Sequence, residues 1–260
     1  MHDELPAEAD PSWAQARGWL AAAGRSCVLT GAGMSAESGI PTFRDALTGL
    51  WSQFDPAQLA SEEGFRADPA LVWNWYAERR EGVRRAEPNA GHHALAAWSA
   101  RRPGRVTVMT QNVDDLHQRA GQAGVIRLHG DILAARWLRP CPRHPACDPA
   151  EALDGAPPRC ARRPGCGNLL RPGVVWFGEA LPEGAFEAAV HAAEACDVLL
   201  VVGTSGAVWP AAGLAGRARQ AGARVVIVNP QPSEIDEQAH AVLRGTAARL
   251  LPRLLAADGA

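Results

Sequence analysis

The chain has 260 residues, 47% of them hydrophobic and 21% charged, the proportions of an ordinary soluble globule with length for one large domain or one domain carrying a smaller insertion. A net charge of −2 gives no reason to expect nucleic acid or an anionic membrane as the main partner. The opening "MHDELPAEADPSW" is acidic and lacks an apolar centre, so neither a signal peptide nor a membrane span is expected, and a cytoplasmic address follows.

In chain order, the first apolar run is "SCVLTGAG", which passes into "TGAGMSAESGIPTFRD" at residues 30 to 45. Glycines at 31 and 33 end a strand and open a helix there, a turn that lets the backbone approach a phosphate closely. Residues 46 to 90 read as helical and rich in tryptophan. Within them "LVWNWYAERREGVRR" carries Tyr76, the only tyrosine, three positions before Arg79, so the two share a helix face. "RVTVMTQN" and "LHGD" follow, then a stretch at 137 to 171 with proline, arginine and cysteine but little periodicity. "VVWFG", "DVLLVVGTS" and "ARVVIVNP" complete the apolar runs, and "RLLPRLLAADGA" reads as a last helix fraying into a tail.

Runs that are apolar on both faces belong in a parallel sheet covered by helices, so the fold class is α/β with a doubly wound sheet. Ligands of such sheets sit beyond the carboxyl ends of the strands, where Gly31, Asn112, Gly203 and Asn229 converge on one crevice. The two interrupting stretches, 46–90 and 137–171, are expected to form a smaller module over that crevice, leaving 1–45, 91–136 and 172–260 to the main domain. Cys27 and Cys196 lie in apolar segments and read as core. Cys141, Cys147, Cys160 and Cys166 crowd together, which in an intracellular protein suggests a metal before disulfides.

The strings "GAGMSAESGIPTFRD", "TQNVDDLH", "LHGD", "LLRPGVVWFGE", "VVGTS" and "IVNP", in this order, resemble the sirtuin family of NAD-dependent protein lysine deacylases over residues 26 to 250. The resemblance implies a Rossmann-like NAD-binding domain and a zinc-bearing small domain. It assigns Gly31, Ala32, Gly33, Ala36, Phe43, Arg44 and Asp45 to the NAD phosphates and the nicotinamide side. Gln111, Asn112 and Asp114 fall to the ribose and nicotinamide, and Gly203, Thr204, Ser205 and Asn229 to the adenosine half, with Ala247 near the adenine. His129 is the implied catalytic base, with Asn112 and Asp114 beside it, and an imidazole titrating near neutrality suits removal of a ribose hydroxyl proton. His92 and His117 read as structural. Val175, Trp176, Phe177 and Gly178 are the implied landing strip for an acyl-lysine peptide added as an extra strand.

Two features refine the resemblance. Both cysteine pairs enclose five residues, wider than the family's usual close pairs. A four-cysteine structural zinc is expected, with His144 as the alternative to Cys147 because "CPRH" sets it two residues beyond Cys141. In one branch of the sirtuins a Tyr-x-x-Arg pair reads the carboxylate of succinyl, malonyl or glutaryl lysine, and "YAER" resembles it. Arg79 could instead pair with Glu78 or Glu81. The alternatives to a deacylase of acidic acyl groups are mono-ADP-ribosyl transfer, a noncatalytic NAD or ADP-ribose sensor, and a zinc-ribbon module binding nucleic acid.

Overall fold

A computed structural model of the chain describes residues 11–41, 55–140, 152, 154–160 and 166–257. Its first elements are α1 (Pro11–Ala22) and β1 (Ser26–Thr30), a strand buried at every position. Three helices follow: α2 (Pro56–Leu59), α3 (Glu62–Ala67) and α4 (Pro69–Arg85). Each of the last two has a built start. Ser61 accepts a hydrogen bond from the Gly64 N–H at 3.0 Å, and Asp68 accepts one from the Leu71 N–H at 2.9 Å with Pro69 in the first turn. Then come α5 (Ala90–Ala100), β2 (Val106–Thr110), α6 (Leu116–Arg119), β3 (Ile126–Arg127), β4 (Gly130–Trp137) and β5 (Leu170–Val174). The chain continues through α7 (Glu183–Ala195), β6 (Val198–Val202), α8 (Gly213–Gln220), β7 (Arg224–Val228), β8 (Ala241–Leu243) and α9 (Ala247–Leu254).

Six strands form one parallel sheet in the order β3-β2-β1-β6-β7-β8. From β1 the chain builds outward to β2 on one side and later to β6 on the other, so the topological switch lies between β1 and β6, where this class of sheet opens a crevice. Side chains alternate between two apolar layers. Val28, Leu200 and Val226 pack with α1, α5 and α9 on one face. Leu29, Val201 and Ile227 pack with α7 and α8 on the other. Burial on both faces is why these runs lack a polar alternation.

A third apolar cluster stands apart from the sheet. Leu59, Phe65, Val72, Trp75, Tyr76 and Val83 of the helical stretch meet Ile132 of β4, Val174 of β5 and Trp176. Two distant parts of the chain thus share one apolar cluster. The β4–β5 ribbon corrects one expectation. "VVWFG" is not a sheet strand: Val174 ends β5, which pairs antiparallel with β4 in a separate two-stranded sheet. Pro172 has no N–H to donate, so this segment suits a ribbon edge rather than the middle of a parallel sheet. The two outer sheet positions belong instead to β3 and β8, two and three residues long. No helix among the described residues is long and apolar enough to cross a membrane.

Candidate active site

The crevice floor is backbone against backbone. The Gly31 N–H donates to the Val202 carbonyl at 2.9 Å and the Gly33 N–H to the Gly203 carbonyl at 2.8 Å, joining the ends of β1 and β6. A Cβ on Gly33 would lie 2.7 Å from Gly203 Cα, so glycine here is demanded by close approach. Gly203 itself turns at φ 62, in the left-handed region. The α-helix expected after these glycines is replaced by two three-residue 3-10 turns, Ala32–Met34 and Ala36–Ser38, ended by Gly39 at φ 82. Turns this short carry little of a helix dipole, so any phosphate held there depends on individual N–H groups. Ala36 is exposed on the second turn. Phe43, Arg44 and Asp45 lie outside the described residues.

Behind the turns lies a buried polar network. Ser35 Oγ donates to Asp114 Oδ2 at 2.9 Å and accepts from Asn112 Nδ2 at 3.1 Å, while Asp114 Oδ1 accepts from the Leu116 N–H at 3.1 Å. Burial raises the Asp114 carboxyl above its ordinary pKa, against the pull of the Leu116 N–H and the Ser35 hydroxyl. Gln111 Nε2 donates to Thr204 Oγ1 at 3.1 Å, and Asn229 Nδ2 donates to the Thr204 carbonyl at 3.0 Å. Residues from the ends of β2, β6 and β7 are thus brought together. Ser205 stands beside them, its Oγ accepting from the Ala207 N–H at 3.4 Å. Ala247 is buried at the start of α9, whose next N–H, that of Ala248, donates to Glu37 Oε2 at 2.8 Å.

Two members of this network carried no role in the sequence reading. Ser35 bridges Asn112 and Asp114. Asn89 caps α5 and also donates through Nδ2 to the Met34 carbonyl at 2.9 Å and Ser38 Oγ at 3.0 Å, anchoring the glycine turns. The signal for Asn89 was available, since "PNAGH" is an N-cap followed three residues on by a side chain that returns the hydrogen bond. That side chain is His92, whose Nδ1 accepts from the Asn89 N–H at 3.3 Å, as a structural histidine should. Its ring meets His117 edge-on at 5.0 Å between centroids. Burial pushes His92 down to about 3 and His117 down to about 4.

His129 sits at the junction of sheet and ribbon. Its Nδ1 is 2.9 Å from the Gln111 carbonyl, and its own carbonyl accepts from the Val175 N–H at 2.9 Å. A carbonyl can only accept, so Nδ1 carries the ring proton and Nε2 keeps a lone pair. Burial lowers the pKa of the imidazole below its ordinary 6.5, and the Gln111 hydrogen bond only partly offsets it. At neutral pH the ring is a neutral base of fixed tautomer.

Tyr76 and Arg79 share the inner side of α4. Tyr76 is buried, and its hydroxyl accepts from Trp176 Nε1 at 3.1 Å. The Arg79 guanidinium lies over the Trp75 ring at 4.7 Å and the Tyr76 ring at 5.7 Å. Burial lowers its pKa while Tyr76 and Asp114 oppose the shift, which sets this cation within electrostatic reach of the Asp114 carboxylate. Glu81 pairs with Arg84. Trp176 and Phe177 separate: Trp176 is 2% exposed and Phe177 is 53% exposed. The N–H groups of Val175, Trp176 and Phe177 are already given to His129 O, Glu179 Oε2 and Ala60 O. Gly178 follows at φ 84.

Of the clustered cysteines, Cys160 and Cys166 are half-buried free thiols; Arg159 bridges Leu169 in antiparallel fashion, and the Cys160 N–H donates to the Asn168 carbonyl at 3.0 Å. Two thiols six positions apart are soft donors of the kind a tetrahedral zinc site uses. Cys141, His144 and Cys147 lie outside the described residues. No group of three metal-capable side chains stands among the described residues. Cys27 and Cys196 are buried, as expected for core positions.

Comparison with known proteins identifies the family. The model of the Sir2 family matches residues 31–210. An NAD-dependent protein deacylase of Ralstonia nicotianae is 57% identical over 243 residues, covering 94% of this chain and 96% of that protein. One of Methylococcus capsulatus is 52% identical over 245 residues, covering 88% and 91%. Among solved structures, a complex of a Sir2 homologue with NAD superposes with a TM-score of 0.79 at 41% identity, covering 93% of this chain and 92% of the other. A Sir2 complex with p53 peptide and NAD+ gives 0.77 at 30% identity, covering 92% and 95%.

Proposed function

The chain belongs to the Sir2 family, and from that premise we propose that it is an NAD-dependent protein lysine deacylase whose pocket favours acyl groups ending in a carboxylate. The observation that carries the preference is the pair on α4: a guanidinium stacked on Trp75 and a buried phenol whose oxygen already accepts a hydrogen bond. A carboxylate between them would take two parallel N–H groups from Arg79 and the proton of Tyr76. A neutral acetyl group has no carboxylate to take the two parallel N–H groups of Arg79.

NAD, when bound, supplies an electrophilic ribose carbon once nicotinamide departs, which a weakly nucleophilic acyl oxygen can then engage. The chain's own residues supply the rest. Gly31, Gly33 and Gly203 give a floor with no side chains, suited to a pyrophosphate. Asn112 and Asp114, held by Ser35, orient the ribose and carboxamide groups, and Thr204 and Asn229 line the adenosine half. His129 takes the ribose hydroxyl proton at Nε2, its tautomer fixed by the Gln111 carbonyl. The expected products are nicotinamide and 2′-O-acyl-ADP-ribose.

The acyl-lysine peptide lies along Val175 to Gly178 as an added strand. With three N–H groups there committed, its main-chain bonds draw on carbonyls of the segment and on Gly178, and Phe177 provides the exposed apolar surface. The proposed zinc, held by Cys141, Cys147, Cys160 and Cys166, is structural and pins the far end of the ribbon. The deciding experiment supplies NAD with acetyl-, succinyl-, malonyl- and glutaryl-lysine peptides and follows nicotinamide release. Acidic acyl peptides are expected to show the higher kcat/KM; an equal or higher value for the acetyl peptide overturns the acyl preference.

A further inference from the structure

Trp176 belongs to the segment proposed to receive the peptide, yet its side chain faces away from solvent. Its indole N–H instead points at the phenol oxygen of Tyr76, 3.1 Å away. An indole nitrogen can only donate, and a phenol has one proton to give. Since the oxygen accepts from Trp176, the phenolic proton must go elsewhere. Trp176 is the hydrogen-bond partner of that hydroxyl among the described residues, so the proton remains available to a ligand.

The ring of Trp176 is packed between a cation and a phenyl ring. The Arg171 guanidinium lies 3.3 Å from its centroid, and Phe65 packs on it at 5.2 Å. Arg171 is 2% exposed, and four of its five N–H donors are engaged: Nε on the Pro172 carbonyl at 3.3 Å, Nη2 on the Val174 carbonyl at 2.9 Å, and one hydrogen of each Nη on Glu179. Glu179 Oε2 also accepts from the Trp176 N–H at 2.8 Å and from Arg136 at 2.9 Å. A buried ion pair adds little to stability compared with apolar packing of the same volume, but it fixes geometry. A cation against the ring also draws density from the indole and strengthens its N–H as a donor, and a phenol that accepts a stronger hydrogen bond donates a stronger one.

We infer that Trp176 is a specificity-determining positioning residue: held by the Arg171 and Glu179 pair, it fixes the Tyr76 hydroxyl as a donor toward an acyl carboxylate. This rests on the acidic-acyl reading and adds a residue that acts through another. Without the indole N–H the phenol could turn its proton to other acceptors, and the carboxylate would lose one aligned donor.

The test is a double-mutant cycle on the intact protein with NAD: wild type, Trp176→Phe, Tyr76→Phe and the double variant, each assayed with succinyl- and acetyl-lysine peptides. The readout is the ratio of the two kcat/KM values, which general loss of packing does not move. Losing one aligned hydrogen bond to a charged group should lower the ratio roughly tenfold in Trp176→Phe, chiefly through KM for the succinyl peptide. In the Tyr76→Phe background the same substitution should change the ratio less than about twofold, because the hydroxyl it acts through is gone. If Trp176→Phe fails to fold, benzothienylalanine placed at position 176 keeps the indole shape without the N–H and should give the same tenfold fall. An unchanged ratio in the single variant, or an equal fall in both backgrounds, overturns the inference while leaving the acyl preference standing. A wild type that does not favour succinyl overturns both.

Discussion

Acidification should destabilise this protein through two imidazoles that no reaction step uses. His92 and His117 are buried behind the glycine turns, and His92 Nε2 and His117 Nδ1 have no hydrogen-bond partner among the described residues. An added proton would enter His117 at Nδ1, which has no acceptor, and His92 at Nδ1, which already faces the Asn89 N–H. Burial holds them near 3 and 4 in the folded chain, against an ordinary 6.5 once unfolded. For bases whose folded pKa is depressed, the unfolded chain binds more protons. The associated stability is complete above pH 6.5 and is lost as the pH falls toward the folded values. At about pH 4.5 the two together remove about 5 kcal/mol, a large share of the stability of an ordinary domain. Between pH 5 and 6 they bind nearly two protons on unfolding, a slope of roughly 2.5 kcal/mol per pH unit. The assay is urea unfolding across pH 5 to 7 for the wild type and for a His92→Asn, His117→Asn double variant. Other titrating groups contribute alike to both, so the difference in slope isolates the pair. A variant with lower absolute stability but a flatter pH dependence is expected; equal slopes would refute the reasoning.

Three further outcomes follow from the site. Arg79→Met removes charge-assisted hydrogen bonds worth about 1.5 to 3 kcal/mol each, so the succinyl-to-acetyl ratio of kcat/KM should fall at least roughly tenfold, and a variant that keeps the wild-type ratio contradicts the acyl role of this cation. Gly33→Ala sets a Cβ 2.7 Å from Gly203 Cα and 3.0 Å from its carbonyl oxygen, backbone atoms that cannot step aside. NAD affinity by calorimetry should drop roughly tenfold or more, and an affinity within twofold of wild type would show that the floor tolerates a side chain. Because burial lowers the pKa of His129 while its neutral form acts as the base, the acid limb of kcat/KM should lie below pH 6.5. A limb at or above about pH 7 would mean that another group titrates.

Much of the sheet could be read from the chain because its strands are covered on both faces, which leaves uninterrupted apolar runs such as "DVLLVV". Gly31, Gly33 and Gly203 were legible for a related reason: strand ends meeting at a switch point tolerate no Cβ. What escaped depends on tertiary placement. "VVWFG" has the composition of a core strand, and only its pairing with β4 tells that it edges a ribbon. Along that extended segment Trp176 turns inward and Phe177 outward, a choice made by Arg171 and the helices beneath rather than by residue type. β8 is too short for a periodic signal. Ser35 is a single hydroxyl in a small-residue turn, and its importance appears only when Asn112 and Asp114 arrive beside it from a distant strand end.

The central claim is that a neutral imidazole of fixed tautomer removes the ribose proton. The direct measurement replaces His129 with alanine and follows both nicotinamide release and acyl-ADP-ribose formation from a succinyl-lysine peptide. Turnover is predicted to fall on the order of a hundredfold or more while the protein still binds NAD. Acyl-ADP-ribose formed at the wild-type rate would contradict the account.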